Sequence, residues 1–188
     1  MYIEDCVEEK IVGDYTIKIY PDKNAESPRE WDNLTKMICF SRLYTLGDKH
    51  CYRHQNYTGW AEMEKAIIKE ENVAIILPLY LFDHSGITIS TKPFNCPWDS
   101  GRIGFVYITK QSIYKEYNTK RITKAIREKA IAVLEAEVKT YDKYISGDVW
   151  GYRITDENDS EVDSVWGYYD YTHAEMDGKN RLEYLLEN

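Results

Sequence analysis

This chain of 188 residues lacks long apolar runs, paired cysteines and a signal-like start. No apolar run reaches the ~18 residues that a membrane-spanning helix needs. The four cysteines are widely spaced and include no CxxC pair, which argues against a secreted disulfide framework. The acidic start, MYIEDCVEEK, does not have the basic segment and apolar core of a secretory signal. We therefore expect reduced thiols and a cytoplasmic location.

Motifs for common cofactors are also missing, since the sequence has no P-loop, GxGxxG, HExxH or GxSxG. The closest approach to a zinc motif is Cys51-x-x-His54, with His50 beside it. A structural zinc site needs four ligands, usually in two close pairs, and no second pair follows. We expect neither a cofactor nor a bound metal.

Aromatic residues are abundant, with 17 Tyr and 5 Trp, and apolar residues make up 43% of the chain. This composition argues against disorder, which is typical of chains with few aromatic residues. A chain of this length buries roughly 70% of the surface that its unfolded form exposes. The sequence therefore predicts one globular domain over residues 1–188.

The clearest predicted element is a helix from Thr119 to Ile145, capped by Asn118 or Thr119 and ended by Gly147. Its apolar stripe consists of Ile122, Ile126, Ala130, Val133, Leu134, Val138, Tyr141 and Ile145. The other predicted helices are Trp60–Glu71 with Thr58 as cap, Lys110–Tyr117 and Ala174–Leu186, in which Gly178 is unfavourable.

Alternating or continuous apolar runs predict the strands, which are Tyr15–Tyr20, Met37–Phe40, Val73–Phe82, Gly86–Ser90, Ile103–Ile108, Val149–Ile154 and Val162–Tyr169. Pro78 makes the third of these an edge strand, a bulged strand or two short pieces. The order shows no regular βα alternation. It predicts an α+β fold in which a mostly antiparallel sheet is covered by the long helix, with a C-terminal acidic β-hairpin.

Charge is distributed unevenly along the chain. The C-terminal quarter, residues 142–188, holds 12 acidic and 4 basic residues, while the other 141 residues hold 20 of each. A solvated acidic face and an acidic binding surface both fit this asymmetry. An ordered acidic surface can mimic nucleic acid and occupy the basic channel of a nucleic-acid-binding protein. Exposed aromatic residues are also good interface anchors. The predicted binding residues are Trp150, Asp156, Glu157, Asp159, Glu161, Asp163, Trp166 and Tyr168.

An enzymatic alternative comes from the loops after two predicted strands. Asp83, His84, Asp99 and Ser100 lie beside glycines at strand ends, where sites are often built. Adjacent strand residues point to opposite faces, so Asp83-His84-Ser85 is not itself a catalytic triad. A His84–Asp99 pair formed across the sheet would support a small hydrolase or nuclease, whereas a hydrogen-bonded turn histidine would be structural.

The segment from Lys110 to Lys129 holds seven Lys or Arg and two Glu. It has only two aromatic residues for stacking, Tyr114 and Tyr117. The solvated face of an amphipathic helix is therefore favoured over a nucleic-acid contact. We do not expect direct binding to nucleic acid or to a membrane.

Five segments resemble a family of small proteins carried by phages and conjugative elements of bacteria. They are SPREWDNLTKMICF (Ser27 to Phe40), YTLGDKH (Tyr44 to His50), LPLYLFDHSGITIST (Leu77 to Thr91), WDSGRIGFVYITK (Trp98 to Lys110) and AEVKTYDKYISGDVWGYRI (Ala136 to Ile154). Accessory proteins of such elements often antagonise host defence, as anti-CRISPR or antirestriction proteins. The resemblance implies a bacterial cytoplasm and, as partner, a defence protein or ribonucleoprotein complex that this chain binds and inhibits. It transfers no catalytic residue.

Overall fold

The computed structural model describes residues 6–187. The fold class is the predicted α+β, with every strand pair antiparallel. The elements are β1 (Glu8–Val12), β2 (Tyr15–Pro21), β3 (Lys36–Cys39), α1 (Trp60–Glu70), β4 (Val73–Asp83), β5 (Ile87–Ser90), β6 (Ser100–Thr109), α2 (Lys110–Glu116), α3 (Lys124–Ile145), β7 (Trp150–Thr155), β8 (Glu161–Tyr168) and α4 (Tyr171–Glu187).

The chain divides into two compact units, and the strands form two four-stranded sheets. The end unit combines Met1–Ser27 with Lys143–Asn188 and holds the sheet β1-β2-β7-β8. The middle unit, Pro28–Asp142, holds the sheet β3-β6-β4-β5. The expectation of a single domain stays a prediction.

In the end unit, α4 packs on one face of the sheet. Alternation along β2 and β7 places Ile17, Tyr152 and Ile154 on that face, where they form a core with Leu182 of α4. Gly178 is the point of closest approach, because a Cβ there would lie 2.5 Å from Ile17 Cδ1. Gly178 lowers the intrinsic helix propensity of α4, but it also allows the helix to pack closely against the sheet.

In the middle unit, β4 and β6 form the long central pair of the sheet. Pro78 lies opposite Phe105 of β6, and β5 pairs with β4 only from Tyr80 onward. The other edge of β4 is therefore unpaired at Pro78, where a missing N–H costs no ladder bond. The register shifts between Leu79 and Tyr80, so the strand is continuous but bulged, as one of the sequence alternatives had it.

Helix α1 covers one face of this sheet, where Met63 and Ile67 pack with Ile38, Phe105 and Tyr107. The predicted cap of α1 is wrong. Gly59 is the N-cap and makes no side-chain cap bond. The backbone N–H and the hydroxyl of Thr58 instead both donate to Glu62 Oε2, each at 2.7 Å.

The predicted apolar stripe of α3 is buried at Ala130, Leu134, Val138 and Tyr141. Side chains along the helix reach both ends of the sheet, since Arg127 donates to Ala74 O and Asp142 accepts from Ile89 N. The helix starts at Lys124, five residues after the predicted start.

Asn118 and Thr119 do not cap α3. Asn118 has a φ of 45° just after α2, and Thr119 N donates back to Tyr114 O. The hydroxyl of Thr123 accepts from Ile126 N and takes the capping role. At the other end, Gly147 adopts a φ of 75° and donates to Tyr144 O, as expected for a terminating glycine.

Candidate functional site

The two units differ strongly in charge. The end unit contains 18 Asp and Glu and 7 Lys and Arg, a net charge of −11. The middle unit contains 14 and 17 respectively, a net charge of +3. The negative charge of the chain therefore belongs to one compact unit, which includes residues from both ends of the sequence.

Three acidic segments of the end unit meet at one end of its sheet, which we call the acidic pole. Because Thr16 pairs with Thr155, the β1–β2 turn at Asp14 and the β7–β8 turn at residues 156–160 lie at the same end. The last turn of α4 is there too, since a Cβ on Gly13 would lie 3.0 Å from Leu186 Cδ2. The pole comprises Asp14, Asp156, Glu157, Asp159, Glu183 and Glu187. The carbonyl end of α4 adds the negative end of a helix dipole.

The predicted binding carboxylates of the hairpin fall into two groups. Asp163 pairs with Arg181 of α4, and Glu161 pairs with Arg153 across the hairpin at 2.9 Å. Asp159 lies 3.3 Å from Lys18 Nζ on β2. The charges of these three carboxylates are therefore partly neutralised. The sequence did not predict this, because the neutralising cations lie on other strands and on the helix.

The other two carboxylates, Asp156 and Glu157, lie beside Asp159 in the β7–β8 turn. Asp156 Oδ1 accepts from the backbone N–H groups of Asn158 and Ser160, both at 2.9 Å, and so closes the turn. Glu157 is exposed at its tip. Among the contacts of residues 6–187, Glu157 is thus the one predicted acidic residue of the five that is exposed and holds no other part of the structure in place.

The three predicted aromatic anchors are partly used inside the end unit. Trp166 is 40% exposed and its ring lies 6.0 Å from that of Tyr20. Trp150 is half-buried and meets Tyr171 edge-on at 5.1 Å. Tyr168 donates its hydroxyl to Asp177, and burial followed by that bond raises the pKa of Tyr168. Trp166 is the most accessible of the three.

The structure brings His84 and Asp99 together, as the enzymatic alternative required. His84 Nδ1 lies 3.3 Å from Asp99 Oδ2, and Cys96 Sγ lies 3.5 Å from the same oxygen. The backbone N–H of Asp83 donates to Asp99 O at 2.8 Å, so the two loops are joined. The His84 side chain is 67% exposed. An exposed histidine oriented by a carboxylate can exchange protons with a ligand.

Two other members of the predicted cluster have different partners. The Ser100 hydroxyl donates to Cys96 O at 2.5 Å, so it is engaged with its own loop. Asp83 Oδ2 accepts the hydroxyl proton of Tyr44 at 2.9 Å. The arrangement is a His–Asp pair with structural neighbours, and Ser100 is not positioned as its nucleophile.

Two highly exposed apolar side chains flank these same loops. Trp98 is 92% exposed and immediately precedes Asp99, and Leu43 is 79% exposed and immediately precedes Tyr44. The Tyr44–Asp83 and Asp83–Asp99 hydrogen bonds connect the two segments. Exposed Trp side chains are frequent anchors of protein interfaces. The sequence shows a Trp at position 98, but only the structure shows that this side chain is exposed.

Residues 6–187 contain no group of three or more His, Cys, Asp or Glu side chains arranged to hold a metal ion. His50 Nε2 lies 3.1 Å from Cys39 O, and His54 packs against the Trp60 ring at 4.8 Å. Within the described chain, no helix has the length and apolar character to cross a membrane.

Comparisons with protein-family models, with curated proteins and with solved structures found no match to this chain. The resemblance to proteins of phages and conjugative elements therefore stays a prediction.

Proposed function

We propose that this protein binds and inhibits a bacterial nucleic-acid-targeting defence complex, in the manner of an anti-CRISPR protein. The observation that carries the proposal is the acidic pole, where carboxylates from three separate segments lie at one end of a unit with a net charge of −11. Proteins that handle nucleic acid present basic channels, and a rigid acidic surface competes for such a channel by the same electrostatics.

The pole is more suited to this task than the hairpin as a whole. Asp163 and Glu161 are matched by Arg181 and Arg153, so they contribute little free charge to a partner. Glu157 and Asp14 lie at turn tips and are exposed. Interface charges of this kind mainly raise the association rate and select the partner, and exposed aromatic residues such as Trp166 add affinity.

A defence-interference assay tests the proposal. Bacteria that carry a nucleic-acid-targeting defence system are challenged with phage or plasmid, with and without this protein. The protein should restore infection or transformation against the system that it inhibits. The double variant Glu157→Lys/Asp159→Asn raises the charge of the pole by three units, and Asn preserves the φ of 59° at position 159.

The matched control is Glu128→Gln/Glu135→Lys, which makes the same charge change at exposed positions of α3 in the middle unit. The pole variant should lose at least about tenfold of the inhibition, whereas the control should keep it, since rim charges act on association through their local field. Equal inhibition by both variants would remove the pole as the interface. Capture of the target from lysate, followed by mass spectrometry, identifies the partner.

The His84–Asp99 distance of 3.3 Å favours a second candidate function, a small hydrolase or nuclease. In that case Asp99 orients the imidazole, and Nε2 faces the substrate proton. His84→Gln should then cost about 10²-fold or more in turnover of an ester or phosphodiester substrate. Because His84 is 67% exposed, the change should leave folding intact. Unchanged turnover in His84→Gln would eliminate this candidate.

A further inference from the structure

The loop at residues 40–57 forms one wall of two surface depressions in the middle unit. The first has a volume of about 490 Å³ and is lined by Phe40, Ser41, Arg42, His54, Gln55 and Trp60. The second has a volume of about 500 Å³, and its lining includes Ile38, Lys49, His50, Tyr52, Glu71 and Tyr107. Each is large enough for one nucleotide-sized group.

A continuous series of rings links the two depressions, and we call it the aromatic row. It consists of Tyr52, His50, Phe40, His54 and Trp60, with successive ring centroids 6.3, 4.9, 6.0 and 4.8 Å apart. Tyr52 and His50 line the second depression, and the other three rings line the first. The rings therefore form a path from one depression to the other.

The aromatic row is fixed to the sheet before any ligand arrives. Phe40 N donates to Ile103 O at 2.7 Å, and the Trp60 ring lies 5.7 Å from that of Phe105. The Arg102 guanidinium lies 5.3 Å from the Trp60 ring centroid. Such preorganisation lowers the entropy that binding must offset.

The loop that carries most of the aromatic row is positively charged. Its exposed cations are Arg42, Lys49 and Arg53, and its acidic residue, Asp48, is neutralised by two hydrogen bonds from Arg29, at 2.8 and 2.7 Å. Glu71 at the second depression accepts the Tyr52 hydroxyl at 3.3 Å and lies 3.8 Å from Lys36 Nζ. The loop itself therefore has a net charge of +2, from Arg42, Lys49 and Arg53 against Asp48.

We propose that the aromatic row binds single-stranded nucleic acid, with bases in the two depressions and phosphates at Arg42, Lys49 and Arg53. Flat rings beside cationic groups recognise single strands without reading sequence, because every base has a face that stacks. The expectation against such a contact came from the few aromatic residues of the basic segment Lys110 to Lys129, and the aromatic row lies outside that segment. The chain as a whole has a net negative charge. That charge lies in the end unit, while the middle unit has a net charge of +3.

Fluorescence anisotropy of a labelled ten-nucleotide oligo(dT) or oligo(U) tests this binding at low salt with the full chain. Binding should be saturable and should weaken with salt, with a slope of roughly −2 in a log–log plot for three phosphate contacts. The variant Arg42→Gln/Lys49→Gln/Arg53→Gln removes the three cations. His54→Ala removes an exposed ring, which should cost at least about fivefold in affinity.

The matched control is Lys65→Gln/Lys69→Gln/Lys129→Gln, three exposed cations of the same unit outside the aromatic row. Circular dichroism confirms that each variant is folded. Weaker binding in the loop variants with an unchanged control supports the proposal. Equal loss in the control variant, or no binding of the labelled oligonucleotide up to about 1 mM protein, overturns it. A mononucleotide that binds as tightly as the ten-mer also overturns it, because a path across two depressions requires a chain.

Discussion

Asp163 of β8 and Arg181 of α4 form an ion pair that ties the acidic hairpin to the helix packed on its sheet. Both side chains are partly exposed, 28% for Asp163 and 40% for Arg181. The acidic residues of the end unit therefore have two different roles. Some of them hold the hairpin in place, whereas others, such as Glu157, are available to a partner.

Asp163→Lys should lower the free energy of unfolding by about 1 kcal/mol, because it removes a partly exposed ion pair and faces Arg181 with a like charge. Glu157→Lys makes the same charge change at an exposed turn position and should stay within about 0.5 kcal/mol of the parent. Urea unfolding followed by circular dichroism measures both. Equal stabilities would show that the Asp163–Arg181 pair does not support the hairpin.

Leu134→Ala should cost about 2–5 kcal/mol, because Leu134 is fully buried and the change leaves a cavity under α3. The adjacent Val133 is 37% exposed, and Val133→Ala serves as the control, with an expected change near 0.5 kcal/mol. Denaturant unfolding of the two variants gives the comparison. A loss below about 0.5 kcal/mol for Leu134→Ala would place this residue outside the core.

Gly104→Ala should destabilise the middle unit by about 1–3 kcal/mol or more, through overpacking. A Cβ at Gly104 would lie 1.9 Å from the carbonyl oxygen of Ile38 in the neighbouring strand, and backbone cannot move aside cheaply. Gly101, on the same strand, has no atom within 4 Å of its built Cβ, so Gly101→Ala is the control. Similar melting temperatures for both variants would contradict the close approach of β3 and β6.

Periodicity along the chain was enough to predict α3, its end at Gly147 and four buried residues of its apolar stripe, but it wrongly placed the exposed Val133 on that stripe. Its start was missed because Thr119 and Asn118 are good caps in isolation, while the chain used Thr123 after a loop. Strand β1 was missed because EEKIV is short, polar and at the sheet edge. The division into two sheets could not be predicted from the sequence, because it depends on the pairing of β2 with β7, which lies more than a hundred residues away.

Cys39 should resist alkylation in the folded protein. Burial, and then the nearby Asp48 carboxylate, raise the pKa of the Cys39 thiol to about 12, so almost no thiolate forms at pH 8. Cys6 and Cys51 are exposed and should react first. Iodoacetamide labelling with peptide mass spectrometry locates the products, and the same reaction in denaturant provides the control. Early labelling of Cys39 in the native protein would contradict its burial.

Acid should weaken the end unit through Asp148. Burial alone would raise the pKa of Asp148, but hydrogen bonds from Lys143 and Trp150 outweigh it and hold that pKa below its usual 3.8. A lowered folded-state pKa stabilises the fold above about pH 4, and this stability is lost as the pH falls through the folded value.

The variant Asp148→Asn should therefore show a shallower loss of stability between about pH 5 and pH 2 than the parent. Thermal unfolding across this range measures the slope, and Glu157→Gln removes an exposed carboxyl as the matched control. Identical slopes for parent and Asp148→Asn would mean that these hydrogen bonds do not favour the carboxylate.

The candidate sites were only partly readable from the sequence. Glycines and polar residues at strand ends located His84 and Asp99, and their pairing followed from the meeting of two loops. The acidic quarter identified the hairpin, but not the neutralising Lys18, Arg153 and Arg181, which depend on register and helix docking. The aromatic row was not predicted because four of its five rings lie in a loop without periodicity, and only Trp60 belongs to an α-helix.

The pairing of β2 with β7 also has a consequence for the order of folding. The sheet of the end unit contains strands that precede and strands that follow the 115-residue middle unit in the sequence. This sheet therefore cannot form until β7 has been synthesised. The middle unit is continuous and is complete earlier during synthesis. Closing the long loop costs less entropy once the middle unit has formed, because its compact fold shortens the distance between the two connections. The negatively charged unit is therefore the last part of the molecule to assemble.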